Sequence, residues 1–372
     1  MNKVSYFSFA ILFIFIIFIM SISKTHIENM RSYAIDLVLP NKRFSDFSKI
    51  DTTNSQLALE NQLLHSQIEG VYEWLSFEER IDEQVQKFKS LNFSSQGDIY
   101  LNDFFRRRSE ELKNVLEEQL QSLPAKIIFR EPASWSSSVW INVGDNVNES
   151  LEKQIIAKNS PVVVGDCLVG IVEYVGKYKS RVRLITDSGL VPSVRVLRGQ
   201  TQNDFLSKKV KTLLLALQDR EDIFSEDDKL DYYTQALQHL LSKIQINDED
   251  LYLAKGELHG CSYPLWRSKN QLLEGIGFNY DFADEEGPSR DLRTGVPVEN
   301  RLSTGKAVPL ISNGDLLVTT GMDGVFPSGL QVATVCEVSP LENGDYYYTI
   351  KARPTIENLD ELSLVFVMPP LN

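Results

Sequence analysis

Cysteine and histidine are scarce in this chain. Its three cysteines, Cys167, Cys261 and Cys336, make an odd count with no C-x-x-C pair. That excludes a dense disulfide framework and leaves room for one disulfide at most. Cys167 and Cys336 lie in apolar, strand-like runs and are expected as small buried residues. The four histidines are His26, His65, His239 and His259. Three fall beside an N-terminal apolar run or on expected helices, and His259 falls in a loop. None has a partner motif for a Ser-His-Asp arrangement, which needs a base aimed at the nucleophile and oriented by a third group. Basic excess is also missing, since the net charge is −13. Such a chain lacks the basic face that tracks a phosphate backbone, which excludes nucleic acid as a partner, and its soluble part should not adhere to anionic lipid by charge alone.

Other chemical motifs are incomplete. Asp187-Ser188-Gly189 lacks the glycines that frame a serine nucleophile. Gly170 and Gly176-Lys177 are separated by five residues where a phosphate loop has four, and Tyr178 stands where the magnesium-binding Ser or Thr would be. His259-Gly260-Cys261 is a lone pair of potential metal ligands. The acidic runs Glu226–Asp228 and Asp248–Asp250 lack the ligand spacing and turn glycine of a calcium loop and read as solvated helix ends. No catalytic residue, metal ligand or cofactor is therefore expected.

The chain does have the means to fold. Its 372 residues are 42% hydrophobic and 24% charged, which suits two or three folded units. Val4 to Ser23 carries no charge, and Phe9 to Met20 is apolar without a break. Twenty helical residues cover about 30 Å, the thickness of a bilayer core, so a retained transmembrane anchor is expected. The competing reading is a signal peptide cleaved near Ser21-Ile22-Ser23. Lys3 precedes the run, and Lys24, Arg31, Lys42 and Arg43 follow it. Charge counting alone would place the following residues in the cytoplasm, whereas the short N-terminal tail favours the opposite orientation.

From Asn54 the pattern is heptad. Leu57, Leu64 and Val71 form one seam; Asn54, Asn61, Ile68 and Leu75 form the other. Asparagine at core positions fixes register at some cost in stability. The seam breaks at Glu78 and Asp82 and resumes in a shifted phase with Ile81, Val85 and Phe88. After a break at Asn92–Asp98, a second helical stretch runs from Leu101 to Leu123, where Pro124 stops it. Self-association through Leu57, Asn61, Leu64, Ile68, Val71 and Leu75 is expected; packing against the chain's own folded unit is the competing reading. Beyond Pro124 short strands alternate with Gly, Asp, Ser and Pro punctuation, the texture of an all-β barrel or sandwich. Residues 200–250 interrupt it with two amphipathic stripes: Val210, Leu213, Leu214 and Leu217, then Leu230 to Ile244.

Three stretches resemble the MreC family of rod shape-determining proteins. They are Trp140–Gly144 with Asn159–Asp166; Leu168–Gly176 leading into Ser180–Asp187; and Gly314–Gly321 with Gly324–Leu330. The resemblance implies a mainly β protein with helices: residues 1–24 as cytoplasmic tail and anchor, 45–123 as a coiled-coil dimerisation region, and 125–199 as a first β-barrel subdomain. Residues 200–250 would be a helical insertion and 251–372 a second β subdomain, its last strands completing the first barrel. Two segments depart from the family pattern: 200–250 is longer than the usual connection, and Gly256–Gly305 is expanded and charged.

The motif residues also have a physical reading. Gly170 and Gly176 suit tight bends where a small barrel closes. Arg181 alternates with apolar neighbours, so one face of its strand is polar. Asp187 and Gly324 belong to turn formers, and Gly314, Asp315, Gly321 and Gly329 bracket short segments. Phe326-Pro327 either plugs a barrel or protrudes as a partner contact. The function implied is a non-enzymatic scaffold, single-pass in the inner membrane with its bulk in the periplasm. Its implied partners are a second copy, a wall transpeptidase, MreD and the MreB cytoskeleton. The alternative, an anchored periplasmic hydrolase or ligand sensor, requires a deep pocket lined by convergent titratable groups.

Overall fold

The computed structural model describes residues 23–38, 122–151, 154–218, 230–244, 250–261, 272–280, 289–298, 307–356 and 358–371. The apolar run 4–22 and the heptad positions Leu57 to Leu75 lie outside the described residues. Helix α1 covers Lys24–Val38. Twelve strands follow: β1 (Leu123–Arg130), β2 (Ser138–Ile141), β3 (Pro161–Val164), β4 (Cys167–Val175), β5 (Ser180–Leu184), β6 (Ser193–Arg198), β7 (Leu251–His259), β8 (Leu273–Asn279), β9 (Leu316–Thr319), β10 (Gln331–Val338), β11 (Tyr348–Pro354) and β12 (Leu364–Val367). Short helix α2 (Asp145–Leu151) lies between β2 and β3; α3 (Gln200–Gln218) and α4 (Leu230–Ile244) lie between β6 and β7.

The strands close into two six-stranded antiparallel barrels. In barrel 1 the order is β4-β3-β12-β1-β2-β5, and β5 returns to β4. In barrel 2 it is β10-β9-β6-β7-β8-β11, and β11 returns to β10. One parallel contact, Gln331 beside Cys167, joins them. Barrel 2 is thus inserted whole between β5 and β12 of barrel 1. Closure leaves neither barrel a free edge, and one contiguous apolar cluster runs through both.

The strand pairing corrects three expected boundaries. β1 starts at Leu123, so Pro124 sits inside a strand, opposite Phe366. β6 pairs with β7 and β9, so it is a barrel 2 strand. The division between the barrels falls in the Asp187–Pro192 connection, and the helices α3 and α4 interrupt barrel 2 instead of separating two subdomains. The cause is visible locally. Asp187 makes a turn with Gly189, whose N–H donates to Oδ1 at 2.8 Å, and the chain then leaves barrel 1.

Helices α3 and α4 pack against each other. Thr201 fixes the base of this pair, donating from N and Oγ1 to the Asp250 carboxylate at 2.9 and 2.6 Å. Asp250 is therefore a staple and not a solvated helix end. Along α3, Val210 is buried and Leu214 and Leu217 are half-buried, while Leu213 is 51% exposed. Cys336 is exposed as well, contrary to its apolar strand context. The register of β10 shifts between Val335 and Glu337, and the extra residue breaks the inward–outward alternation. Cys167 is half-buried, and no disulfide joins any of the three cysteines.

Candidate interaction surface

The Gly314–Leu330 motif forms the β9 strand and its flanking turns. Asp315 is 2% exposed and accepts from Arg198 Nε at 2.8 Å and Nη2 at 2.6 Å. It also accepts the Ser312 N–H at 2.7 Å, while Gln202 at the start of α3 donates to the Gly314 carbonyl at 2.7 Å. A bidentate carboxylate–guanidinium pair fixes geometry as well as charge. Asp315 thereby ties the end of β6 to the 312–315 turn, and Gly314 ties that turn to α3. Gly314, at φ +92°, takes a backbone conformation that L side chains rarely adopt.

At the other end of β9, Thr319 N donates to the Leu330 carbonyl at 2.8 Å, and Thr319 Oγ1 donates to the Pro327 carbonyl. Asp323 Oδ1 accepts the N–H groups of Val325 and Phe326 at 2.9 and 3.0 Å. These bonds fold the loop inward. Phe326 is 1% exposed within the main apolar cluster, and Pro327 is buried. Of the two sequence readings, the structure places Phe326 in the core. Gly321, Gly324 and Gly329 occupy the positive-φ turns around it.

On barrel 1 the glycines serve close approach. A Cβ on Gly170 would stand 2.0 Å from the Arg183 carbonyl oxygen, and one on Gly176 would stand 2.6 Å from that of Lys179. The polar face expected on β5 is not open to solvent. Arg181 is 7% exposed, pairing with Glu173 of β4 at 2.7 Å and with Glu28 of α1 at 2.8 Å. Arg183 pairs with the other Glu173 oxygen and donates to the Gly189 carbonyl at 2.8 Å. Asp187 lies 3.7 Å from Arg183 Nε. The Tyr174 hydroxyl donates to Asn29 of α1 at 2.6 Å, and its ring meets Trp140 edge-on at 6.0 Å. Burial, then the Glu28 carboxylate, then Tyr33 raise the Tyr174 pKa.

A cleft of about 800 Å³ runs beside this strip. Barrel 1 lines it with Glu173, Tyr174, Arg181 and Arg183, α1 contributes Glu28, and the β9–β10 loop of barrel 2 contributes Val325 and Phe326. Its charged strip is committed to ion pairs between secondary-structure elements. Burial raises the Cys167 thiol pKa, which keeps this residue protonated and unreactive. Among the described residues no group of three or more His, Cys, Asp and Glu is placed to hold a metal ion. Sequence reasoning missed Glu28, Glu173, Tyr174 and Arg198. Only Glu173 carried a signal, as the single charge in the apolar run Cys167–Val175.

Two closed barrels, one inserted in the other, with a charged strip of the first and a buried loop of the second lining one cleft, define a structural module. The family described as "Rod shape-determining protein MreC, barrel core" matches residues 127–235 and 290–369, just over half of the sequence. The chain belongs to this MreC family, a structural family of cell-shape determinants. Among solved structures it is similar to MreC from Pseudomonas aeruginosa, with 20% identity, 67% of this chain and 99% of that one covered, and a TM-score of 0.37. MreC from Listeria monocytogenes is similar at 18% identity, 79% and 94% coverage and a TM-score of 0.40. So is a complex between a penicillin-binding protein and MreC from Helicobacter pylori, at 14% identity, 67% and 98% coverage and a TM-score of 0.33. No curated protein sequence matches the chain.

Proposed function

We propose that this protein is a non-enzymatic scaffold of the cell-shape and peptidoglycan-synthesis complex. Residues 4–23 anchor it in the inner membrane, residues 1–3 face the cytoplasm, and the two barrels stand in the periplasm. It organises a wall transpeptidase and MreD relative to the MreB cytoskeleton, and residues 45–122 pair two copies. The observation that carries this reading is the extent of the family match, which reaches every strand except β7 and β8. The cleft supports a scaffold over a hydrolase, because the charges Glu28, Glu173, Arg181 and Arg183 pair with one another. A catalytic group needs a free face toward its substrate.

Affinity capture of the full-length protein from membranes tests the proposal. A wall transpeptidase and MreD should be recovered with it; membrane-embedded protein that brings neither would overturn the scaffold role. The pairing has its own test. Leu64→Asp with Val71→Asp puts charges at apolar seam positions, where they cannot be buried unpaired. The double variant should sediment as a monomer, and an unchanged profile would remove the seam as the contact between copies.

A further inference from the structure

Helix α1 has two faces. Glu28 and Ile35, two turns apart on one side, are 4% and 8% exposed. Glu28 meets Arg181 and Asn29 meets Tyr174, so this side is docked on the β4–β5 wall of barrel 1. The opposite side carries Ile27, Met30 and Tyr33, which are 38%, 66% and 76% exposed. At i, i+3 and i+6 these residues make a contiguous apolar stripe. His26 and the 47%-exposed Arg31 side chain flank it.

The start of α1 indicates what covers the stripe. Ser23 is the last residue of the uncharged run Val4–Ser23. Its hydroxyl accepts the His26 N–H at 3.4 Å, and its carbonyl accepts those of His26 and Ile27 at 2.9 and 3.2 Å. Ser23 is therefore an N-cap, and N-cap backbone is not helical. Helix α1 begins there. Glu28 follows Ser23 by five residues, about 7 Å of helix, so the barrel wall it grips lies close to the end of the apolar run.

We infer that α1 lies flat in the headgroup layer of the membrane's outer face, with Ile27, Met30 and Tyr33 in lipid and Glu28 clamping barrel 1 against the bilayer. The stripe of apolar and aromatic residues flanked by Arg31, which also reaches Glu28 at 3.4 Å, fits an interfacial helix. This inference rests on the membrane anchor proposed above. Glu28 Oε2 and Arg181 Nε are buried without a hydrogen-bond partner among the described residues.

Site-directed spin labelling of the full-length protein in phosphatidylethanolamine–phosphatidylglycerol vesicles tests the inference. The three native cysteines are changed to serine, and single labels are placed at 30, at 33 and, as a reference, at Tyr346, which is 79% exposed in barrel 2. Labels at 30 and 33 should favour oxygen over a water-soluble nickel chelate several-fold more than the label at 346. Adding Arg181→Ala should leave that preference intact while broadening the distance between labels at 30 and 178. Vesicle-bound protein with positions 30 and 33 as open to nickel as 346 would overturn the inference and leave the anchor standing. Low exposure to both reagents would also overturn it, assigning the stripe to a second copy. Failure to float with the vesicles at all would overturn the anchor and the inference together.

Discussion

Barrel 1 and barrel 2 have the same number of strands and the same antiparallel closure, but the chain assembles them differently. Barrel 2 is contiguous, β6 to β11. Barrel 1 is split: five strands come first, and β12 arrives only after the whole of barrel 2, where Lys126 finally pairs with Leu364. Contacts this distant in sequence are slow to form, because loop-closure entropy is lost before the contacts compensate it. Each barrel also buries an arginine. Arg181 in barrel 1 is held by carboxylates, one of them on α1. Arg195 in barrel 2 is 4% exposed and lies over the rings of Tyr252 and Tyr280, at 5.5 and 5.6 Å. Barrel 2 also carries the long connections, with α3 and α4 between β6 and β7. The split barrel is thus the one tied to α1, and the contiguous barrel is the one that carries the helical pair.

The largest expected effect comes from removing β12. A chain ending before Leu364 loses Val365, Phe366, Val367 and Met368, none more than 4% exposed. It also leaves β1 and β3 with unpaired edges inside an opened barrel. Amide exchange followed by mass spectrometry should show protection lost across β1–β5 and retained in β6–β11. Equal loss in both would mean that the shared apolar cluster makes the barrels one folding unit, and the distinction between them would fall.

Phe326→Ala comes next. The ring belongs to a barrel 2 loop but lines the cleft beside barrel 1 residues, so its loss should weaken the junction. Deleting a buried Phe side chain costs about 3–5 kcal/mol, which denaturant unfolding would register. Unchanged stability with loss of transpeptidase capture would reassign Phe326 from core to contact.

The β texture, the helices of 200–250 and the turn positions of the glycines were legible because each depends on neighbours in sequence. Gly314 and Gly324 sit at the positive φ values that such turns require. The allocation of strands was less legible. Nothing local in Ser193–Arg198 marks it as barrel 2, because its apolar alternation would suit either wall; pairing with Leu316–Thr319 decides. The charged strip was half legible. Arg181 and Arg183 stood out, but a polar strand face reads as solvated until Glu28, more than 150 residues earlier, is found against it. Cys336 misled because a bulge changes parity without leaving a mark in composition.

The smallest effect is also the most selective between the barrels. Each has a half-buried tyrosine with a raised pKa. Tyr348 of barrel 2 is raised chiefly by burial and donates to the Leu292 carbonyl at 3.2 Å. Tyr174 of barrel 1 is raised by burial and then by the Glu28 carboxylate, and donates to Asn29. For both, the folded state holds the phenol proton more tightly than the unfolded state does. Their contributions are therefore complete below the ordinary tyrosine pKa of about 10 and are lost as pH rises through the folded-state value. The consequences differ in place. Ionised Tyr174 cannot donate to Asn29 and repels Glu28, so α1 should loosen from barrel 1; ionised Tyr348 disturbs only a barrel 2 loop. The stability difference between wild type and Tyr174→Phe should shrink above pH 10. Amide protection in α1 should fall over the same range in wild type and stay constant in Tyr174→Phe. The same loss of protection in both proteins would show that Tyr174 does not govern the contact, leaving Glu28 and Arg181 to hold α1 alone.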